Sequence, residues 1–204
     1  MPRIALFLVL SACKAEDSAA DTAPPTDSDA DTDSDTDTDA DTDADTDTDT
    51  TPPLPAVESP LVINEVVTSN LTGLQDASLA FPDWVEIWNS GDVEVSLGGV
   101  YLTDDHQLPT RFAFSPSAVL APHAYVVVMC DGDLLDSTDL ELHANFSLKS
   151  SGEWLALTTD AGVELGQIDG LDLPNIGTDR AYARQPDGGK FTTDSTPTPG
   201  APND

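Results

Sequence analysis

Two glutamates stand within apolar runs of the sequence, where a carboxylate is unusual. Glu65 lies between Ile63 and Val67, and Glu86 lies at the centre of the segment Trp-Val-Glu-Ile-Trp at residues 84–88. Alternate residues of a strand share one face, so each carboxylate is expected on a mainly apolar face. Leaving a charge unpaired there costs several kcal/mol. We therefore predict that Glu65 and Glu86 are structural buried carboxylates with specific partners.

Cations, backbone donors or a metal ion could partner these two glutamates. The chain has 7 Lys and Arg residues against 38 Asp and Glu residues. Among these few cations, Arg180 and Arg184 are the expected ion-pair partners, and hydrogen bonds from neighbouring backbone are a second structural solution. The alternative, in which Glu65 and Glu86 share a metal ion, stays open at this point.

A second acidic group, which we call the acidic segment, occupies residues 131–141. Its spacing is not that of an EF-hand, because Gly132 takes the second position and Leu135 stands where an oxygen ligand should be. Most such segments are solvated surface. Calcium is the alternative cofactor, since extracellular modules use it at affinities of about 0.1 to 1 mM. The candidate ligands are Asp131 and Asp133, completed by Asp136, Asp139 or a backbone carbonyl, with Glu141 the fifth acid of the segment.

Catalytic motifs are absent from the sequence. It contains no Gly-x-Ser-x-Gly, no His-Glu-x-x-His, no phosphate-binding loop and no paired zinc cysteines. The three histidines, His106, His123 and His143, lie in different turn-like segments. We predict that the protein is not an enzyme, although a triad assembled by the fold could escape a search by motif.

The N-terminal residues resemble a bacterial lipoprotein signal. Arg3 precedes a short apolar run at residues 4–10, and Leu-Ser-Ala at residues 10–12 leads into Cys13. A transmembrane helix needs about 20 apolar residues, so this run predicts a signal peptide over residues 1–12 that is cleaved after export. The resemblance implies lipid attachment at Cys13, and Lys14 favours the outer membrane or cell surface as the destination.

Residues 13–60 are predicted to form a disordered, acidic linker behind the lipid anchor. Every odd-numbered residue from 27 to 49 is Asp, and the run lacks the Gly and Glu positions of a calcium-binding loop. Residues 61–204 hold 22 acidic and 5 basic residues, a net charge of −17. Both parts should repel nucleic acid, because such binding requires Lys and Arg at the phosphates.

From residue 61 onward the sequence consists of short apolar runs separated by Gly, Pro, Asn and Asp. No helical period persists, so these runs predict strands, and their number favours one β-sandwich domain over residues 61–204. Cys130 is expected to be a buried thiol without a disulfide partner, since Cys13 is acylated. The predicted strands are residues 61–67, 84–88, 93–97, 99–103, 124–130, 153–158 and 163–168, with weaker ones at 111–114 and 180–184.

The domain carries a series of short motifs in a fixed order. They lie at residues 61–66 (LVINEV), 83–91 (DWVEIWNSG), 97–102 (LGGVYL), 120–127 (LAPHAYVV), 131–133 (DGD), 143–148 (HANFSL), 184–188 (RQPDG) and 196–203 (TPTPGAPN). This series resembles the bacterial lamin-tail domain, and the resemblance implies an all-β, immunoglobulin-like β-sandwich. The sequence departs from the family pattern at residues 180–184 and is irregular over residues 170–178.

Two functional hypotheses follow from these features. The first is a surface-anchored lipoprotein that displays a binding or scaffold module for a protein or glycan partner in the envelope or outside it. The second is a cation-dependent secreted hydrolase, or the accessory domain of one. A deep cleft with converging acids and His would favour the hydrolase, whereas a closed sandwich with shallow clefts would favour the binding module. Neither the partner nor the oligomeric state is specified by the sequence.

Overall fold

The computed structural model of the protein describes residues 52–138, 141–162, 164–194 and 196–203. The predicted signal peptide, Cys13 and the Asp-rich run lie outside these residues. Within the described part, no helix is long and apolar enough to cross a membrane.

The described residues form short strands joined by turns, as the alternating apolar residues and frequent Gly and Pro dictate. A 3-10 turn at Leu134–Asp136 interrupts this pattern. The strands are β1 (Leu61–Val67), β2 (Asp83–Asn89), β3 (Val95–Ser96), β4 (Val100–Thr103), β5 (Phe112–Ala113), β6 (Val119–Leu120), β7 (Tyr125–Cys130), β8 (Leu142–Ala144), β9 (Trp154–Thr159), β10 (Gly166–Asp172), β11 (Ala181–Gln185) and β12 (Lys190–Asp194).

Two sheets contribute side chains to one apolar core. The larger sheet has the strand order β12-β11-β1-β2-β7-β8 and is antiparallel except for the β7–β8 pair. The smaller sheet has the order β10-β9-β4-β5, and β3 pairs separately with β6. Buried side chains of both sheets, including Ile63, Ile87, Leu102 and Leu157, form one cluster. This arrangement confirms the predicted all-β, immunoglobulin-like sandwich.

A β-bulge in β1 changes which residues share a face. Ile63 pairs with Ile87 of β2, but the next partner of β1 is Glu65, which pairs with Glu86. The extra residue reverses the alternation, so Ile63 packs in the core between the sheets. Glu65 instead lies on the face of Glu86, and the prediction that Glu65 shares a face with Ile63 is wrong.

The face of the larger sheet that carries Glu86 has a smaller apolar cluster of its own. Trp84 and Met129 are its large members, and Val67, Ala181 and Ala183 complete it. Strand β2 has no bulge along its pairing with β7, so Glu86 does lie between Trp84 and Trp88 as the alternation predicts. The larger sheet is therefore apolar on both faces.

Several strand boundaries differ from those predicted. Strands β3 and β5 are two-residue fragments of the predicted runs at 93–97 and 111–114, and β10 extends to Asp172 through part of the segment that looked irregular. Strands β6, β8 and β12 were not predicted, because runs of two to five residues show too little alternation.

Cys130 is buried and free, and burial raises the pKa of its thiol.

Residues 55–57, which precede the predicted domain boundary at residue 61, pair with strand β10. Gln167 of β10 donates its amide to the Pro55 carbonyl and accepts the Val57 amide, both at 2.8 Å. A Cβ atom at position 166 would come within 2.4 Å of the Val57 side chain, so Gly166 is needed for this close approach. Residues 55–57 thus extend the smaller sheet and lie outside any free linker.

A truncation series tests this boundary. A fragment that starts at Leu61 loses both hydrogen bonds to Gln167, each worth about 1 kcal/mol. We expect its melting temperature to fall by about 4 to 8 °C relative to a fragment that starts at Pro53. The Pro53 fragment should melt with the full chain in the same calorimetric measurement. Equal melting of all three would show that residues 55–57 contribute nothing to the fold.

Candidate functional site

Glu65 and Glu86 are cross-strand neighbours with side chains that are 0% exposed. Glu65 accepts the Thr198 amide at 3.1 Å and 3.2 Å on its two oxygens and the Thr198 hydroxyl at 3.4 Å. Glu86 accepts the Gly200 amide at 2.6 Å and the Asn64 side-chain amide at 3.2 Å. Both acids therefore bind the segment 196–203, which we call the C-terminal strap.

Proline spacing explains why the C-terminal strap suits these acceptors. Proline has no backbone N–H, so Pro197 and Pro199 leave Thr198 and Gly200 as the amide donors in this part of the strap. Each of these two amides finds one of the two carboxylates. A buried carboxylate that accepts backbone N–H groups avoids the cost of an unsatisfied charge.

Asp187 joins the C-terminal strap to the same site. Its Oδ1 accepts the Asn203 amide at 2.9 Å and the Asn64 side-chain amide at 3.0 Å. Its Oδ2 accepts the hydroxyl of Tyr125 from β7. Sequence reasoning missed Asn64 and Asp187, although an Asn inside a strongly apolar strand is itself a signal of a buried polar partner.

The electrostatics of the glutamate pair favour a proton on Glu86. Burial raises the pKa of Glu86 from 4.5 to about 7, against the lowering effect of the hydrogen bonds from Gly200 and Asn64. The negative charges of Glu65 and Asp187 raise it further. Near neutral pH, Glu86 is therefore protonated in part of the molecules, and the site carries one negative charge less in those molecules.

The predicted arginine partners have other positions. Arg184 pairs with Asp169 at 3.0 Å and donates its Nε to the Ile63 carbonyl at 2.9 Å, while Arg180 is exposed. The described backbone donors of the glutamates, Thr198 and Gly200, come from the distant strap. Among the described residues, no group of three or more His, Cys, Asp and Glu side chains could hold a metal ion.

His143 lies between two carboxylates of the acidic segment. Its Nδ1 is 2.8 Å from Asp131 Oδ2 and its Nε2 is 3.2 Å from Glu141 Oε1, and its side chain is 1% exposed. Burial alone would lower the pKa of His143, but the hydrogen bonds and charges of Asp131 and Glu141 outweigh it and raise the pKa. With both nitrogens facing acceptors, the ring is suited to be an imidazolium.

The same acids also organise the surrounding loops. Glu141 accepts the Ala77 amide at 3.1 Å on each oxygen, which ties the acidic segment to the loop before β2. Asp131 accepts the Asp133 amide at 3.0 Å, and Asp133 caps the 3-10 turn by accepting the Leu135 amide at 3.1 Å. These contacts are those of a structured surface loop.

The described part of the acidic segment contains no group of three or more acidic or His side chains placed to hold a metal ion. Asp136 lines an open cavity of about 490 Å³ that also touches Asp76 and His143. Asp139 lies outside the described residues. Calcium binding by this segment stays a prediction.

The other two histidines have different partners. His106 stacks on Trp154, and His123 lies beside Asp92.

Comparison with known proteins adds a decisive observation. The family model of the Lamin Tail Domain matches residues 55–172, more than half of the chain. The chain belongs to the lamin tail domain family. A search of curated proteins finds no match to it.

The extent of the lamin tail match agrees with the structure. The match begins at Pro55, where pairing with β10 starts, and ends at Asp172, the last residue of β10. Strands β11 and β12 and the C-terminal strap follow it. The lamin tail domain is an immunoglobulin-like type of domain without catalytic machinery, consistent with a binding or scaffold role.

The pKa of Glu86 generates a testable pH dependence. The folded domain holds this proton up to about pH 7, whereas the unfolded chain releases it near pH 4.5, so the folded state binds more protons in between. We expect the stability of the domain to fall as the pH rises from 5 to 8, by up to about 3 kcal/mol from this group. The Glu86→Gln variant should lose that part of the dependence in urea melts at each pH.

The Glu94→Gln variant is the matched control, because it removes one negative charge at an exposed position. It should keep the pH dependence of the parent chain. His143 contributes in the same direction, since its raised pKa adds stability that is lost as the pH rises, and this contribution is common to all three proteins. Identical pH profiles for parent and Glu86→Gln would refute the assignment.

Proposed function

We propose that this protein is an exported, lipid-anchored lipoprotein that displays its lamin tail domain as a non-catalytic binding or scaffold module. Its partner would be a protein or glycan of the envelope or the surroundings. The observation that carries the proposal is the use of the buried acids, because Glu65 and Glu86 hold the domain's own C-terminal strap. Buried carboxylates that bind the domain's own backbone in this way support a scaffold role.

The hydrolase alternative has less support from the geometry. A His that activates a nucleophile needs one free ring nitrogen. Both nitrogens of His143 face carboxylates, and its partners Asp131 and Glu141 also bind backbone amides. This cluster resembles a structural ion triad that joins loops and offers no base to a substrate.

The anchor proposal rests on the N-terminal sequence. Leu-Ser-Ala before Cys13 at the end of a short apolar run has the form of a lipoprotein processing site. Each buried methylene of an attached acyl chain contributes about 0.8 kcal/mol, so two or more chains give stable membrane association. The Asp-rich linker would then separate the domain from the anionic membrane surface by charge repulsion.

The anchor can be tested by exchanging cysteines. We expect Cys13→Ser to move the protein from the detergent phase to the soluble exported fraction in phase partitioning. The matched control is Cys130→Ala, which changes the buried second cysteine and should leave the protein with the membrane. Detergent-phase behaviour that is the same in Cys13→Ser and in the parent would rule out the lipid anchor.

The binding role is tested with the soluble Cys13→Ser chain as bait. We expect it to capture a partner saturably from envelope proteins or polysaccharides of its own host at physiological salt. An unfolded sample of the same chain is the control for non-specific capture by its acidic linker. The proposal fails if folded and unfolded baits retain the same material, or if the folded chain hydrolyses what it binds.

A further inference from the structure

Exposed apolar side chains are concentrated in two loops, residues 68–82 between β1 and β2 and residues 131–141 between β7 and β8. Single exposed apolar residues are normal on a protein surface, whereas a concentration of them marks an interaction site. A partner that covers these loops would explain the concentration. Of the eight large apolar residues that are exposed in the described chain, five lie there: Leu71, Leu79, Phe81, Leu134 and Leu135.

The two loops are neighbours in the fold. They leave from adjacent strand ends, because Asp83 at the start of β2 pairs with Cys130 at the end of β7. The open cavity of about 490 Å³ is lined by residues 76–78 of the first loop and by residues of the second. Exposed leucines follow and precede the cavity lining in the two loops. We call these four exposed residues beside the cavity the loop surface: Leu79, Phe81, Leu134 and Leu135.

Leu79 has a backbone conformation that is unfavourable for leucine. Its φ is 68°, in the left-handed region that glycine and asparagine adopt more easily. Asp76 fixes the loop in this form, because its carbonyl accepts the Leu79 amide at 3.0 Å and its Oδ1 accepts the Ala80 amide at 2.8 Å. The side chain is 71% exposed and gains little from packing. Leucine at this position thus costs stability, as expected of a residue that serves binding.

Leu135 is presented in a comparable way by the second loop. It is 94% exposed in the 3-10 turn Leu134–Asp136, of which no residue is buried. The Asp133 side chain caps this turn by accepting the Leu135 amide at 3.1 Å. Because the turn is already fixed, a partner can bury its leucines with little further loss of conformational entropy.

Charge determines the kind of partner that the loop surface suits. The two loops hold six carboxylates and no Lys or Arg. A second copy of a domain with a net charge of −17 would be repelled, and so would an anionic membrane surface. A protein surface with an apolar centre and a rim of Lys and Arg is complementary to both the leucines and the acids. The six acids are Asp76, Asp131, Asp133, Asp136, Asp139 and Glu141.

We infer that the loop surface binds a partner protein through an apolar patch ringed by Lys and Arg. The inference rests on the proposed binding role and names its site and the chemistry of its partner. Burial of the leucines supplies the affinity, and the surrounding carboxylates favour encounter in the correct orientation. Glu141 and Asp133 already accept backbone amides of these loops, so the acids are held in place before the partner arrives.

The probe is an acetylated and amidated peptide, Lys-Leu-Phe-Lys-Leu-Lys, titrated into the Cys13→Ser chain. We expect saturable binding that shifts the amide signals of Leu79 and Leu135 in NMR spectra. The same peptide with Ser at its three apolar positions keeps the charge and measures attraction by the acidic linker alone. It should bind at least tenfold more weakly. Equal binding of both peptides would reduce the effect to charge attraction and overturn the inference.

Variants of the loop surface give a second measurement. Leu79→Asn places a residue that tolerates the left-handed conformation, so it should melt no lower than the parent and still weaken the peptide at least fivefold. Leu135→Asn, at an exposed position, should do the same. The matched control is Val93→Asn, which changes a 68% exposed residue beyond the opposite end of β2 and should leave the affinity unchanged. Full peptide affinity in both leucine variants would overturn the inference.

Further outcomes separate this inference from the proposed function. A host protein captured equally by the parent and by the double variant Leu79→Asn/Leu135→Asn would keep the binding role and refute this surface. Peptide binding at the loop surface without any captured host partner would keep the surface and refute the role. Sedimentation with phosphatidylcholine vesicles, or a homodimer, that the double variant abolishes would assign the surface to a membrane or to a second copy and overturn the choice of partner.

Discussion

Two carboxylates placed side by side on a buried sheet face set the central constraint of this fold. Glu65 and Glu86 are opposite one another, and neither reaches solvent. Such a pair is tolerated only if donors meet the oxygens and if the two charges are not both fully present. The C-terminal strap supplies the amides of Thr198 and Gly200, and the raised pKa of Glu86 relieves the repulsion. The position of the C-terminal strap, and therefore its cover over this sheet face, depends on this one electrostatic arrangement.

The sequence allowed the sandwich and the burial of Glu86 to be predicted, because both depend on local alternation. Strand β2 is regular, so Trp84, Glu86 and Trp88 fall on one face as counted. The bulge in β1 could not be predicted in this way, since Asn64 signals a buried polar partner but nothing in the alternation shows that it is an extra residue. The family resemblance was a better predictor of the fold than any single predicted strand, because it depends on the order of many motifs.

Partners distant in sequence were beyond prediction for a different physical reason. Thr198 lies 133 residues from Glu65, and Gly200 lies 114 residues from Glu86, so no local pattern connects them. Charge alone also could not show which acid Arg184 would pair with, because Asp169, on β10 of the smaller sheet, binds its guanidinium.

The position of the strap in the sequence also bears on the order in which the domain can fold. A chain that emerges from the ribosome residue by residue presents Glu65 and Glu86 long before Thr198 and Gly200 exist. Until then both carboxylates are more stable in water than inside the sheet. Contacts between segments so far apart also close slowly. Cooperative folding of this sandwich consequently has to wait for the synthesis of the C-terminal strap, which leaves the nascent polypeptide open until that point.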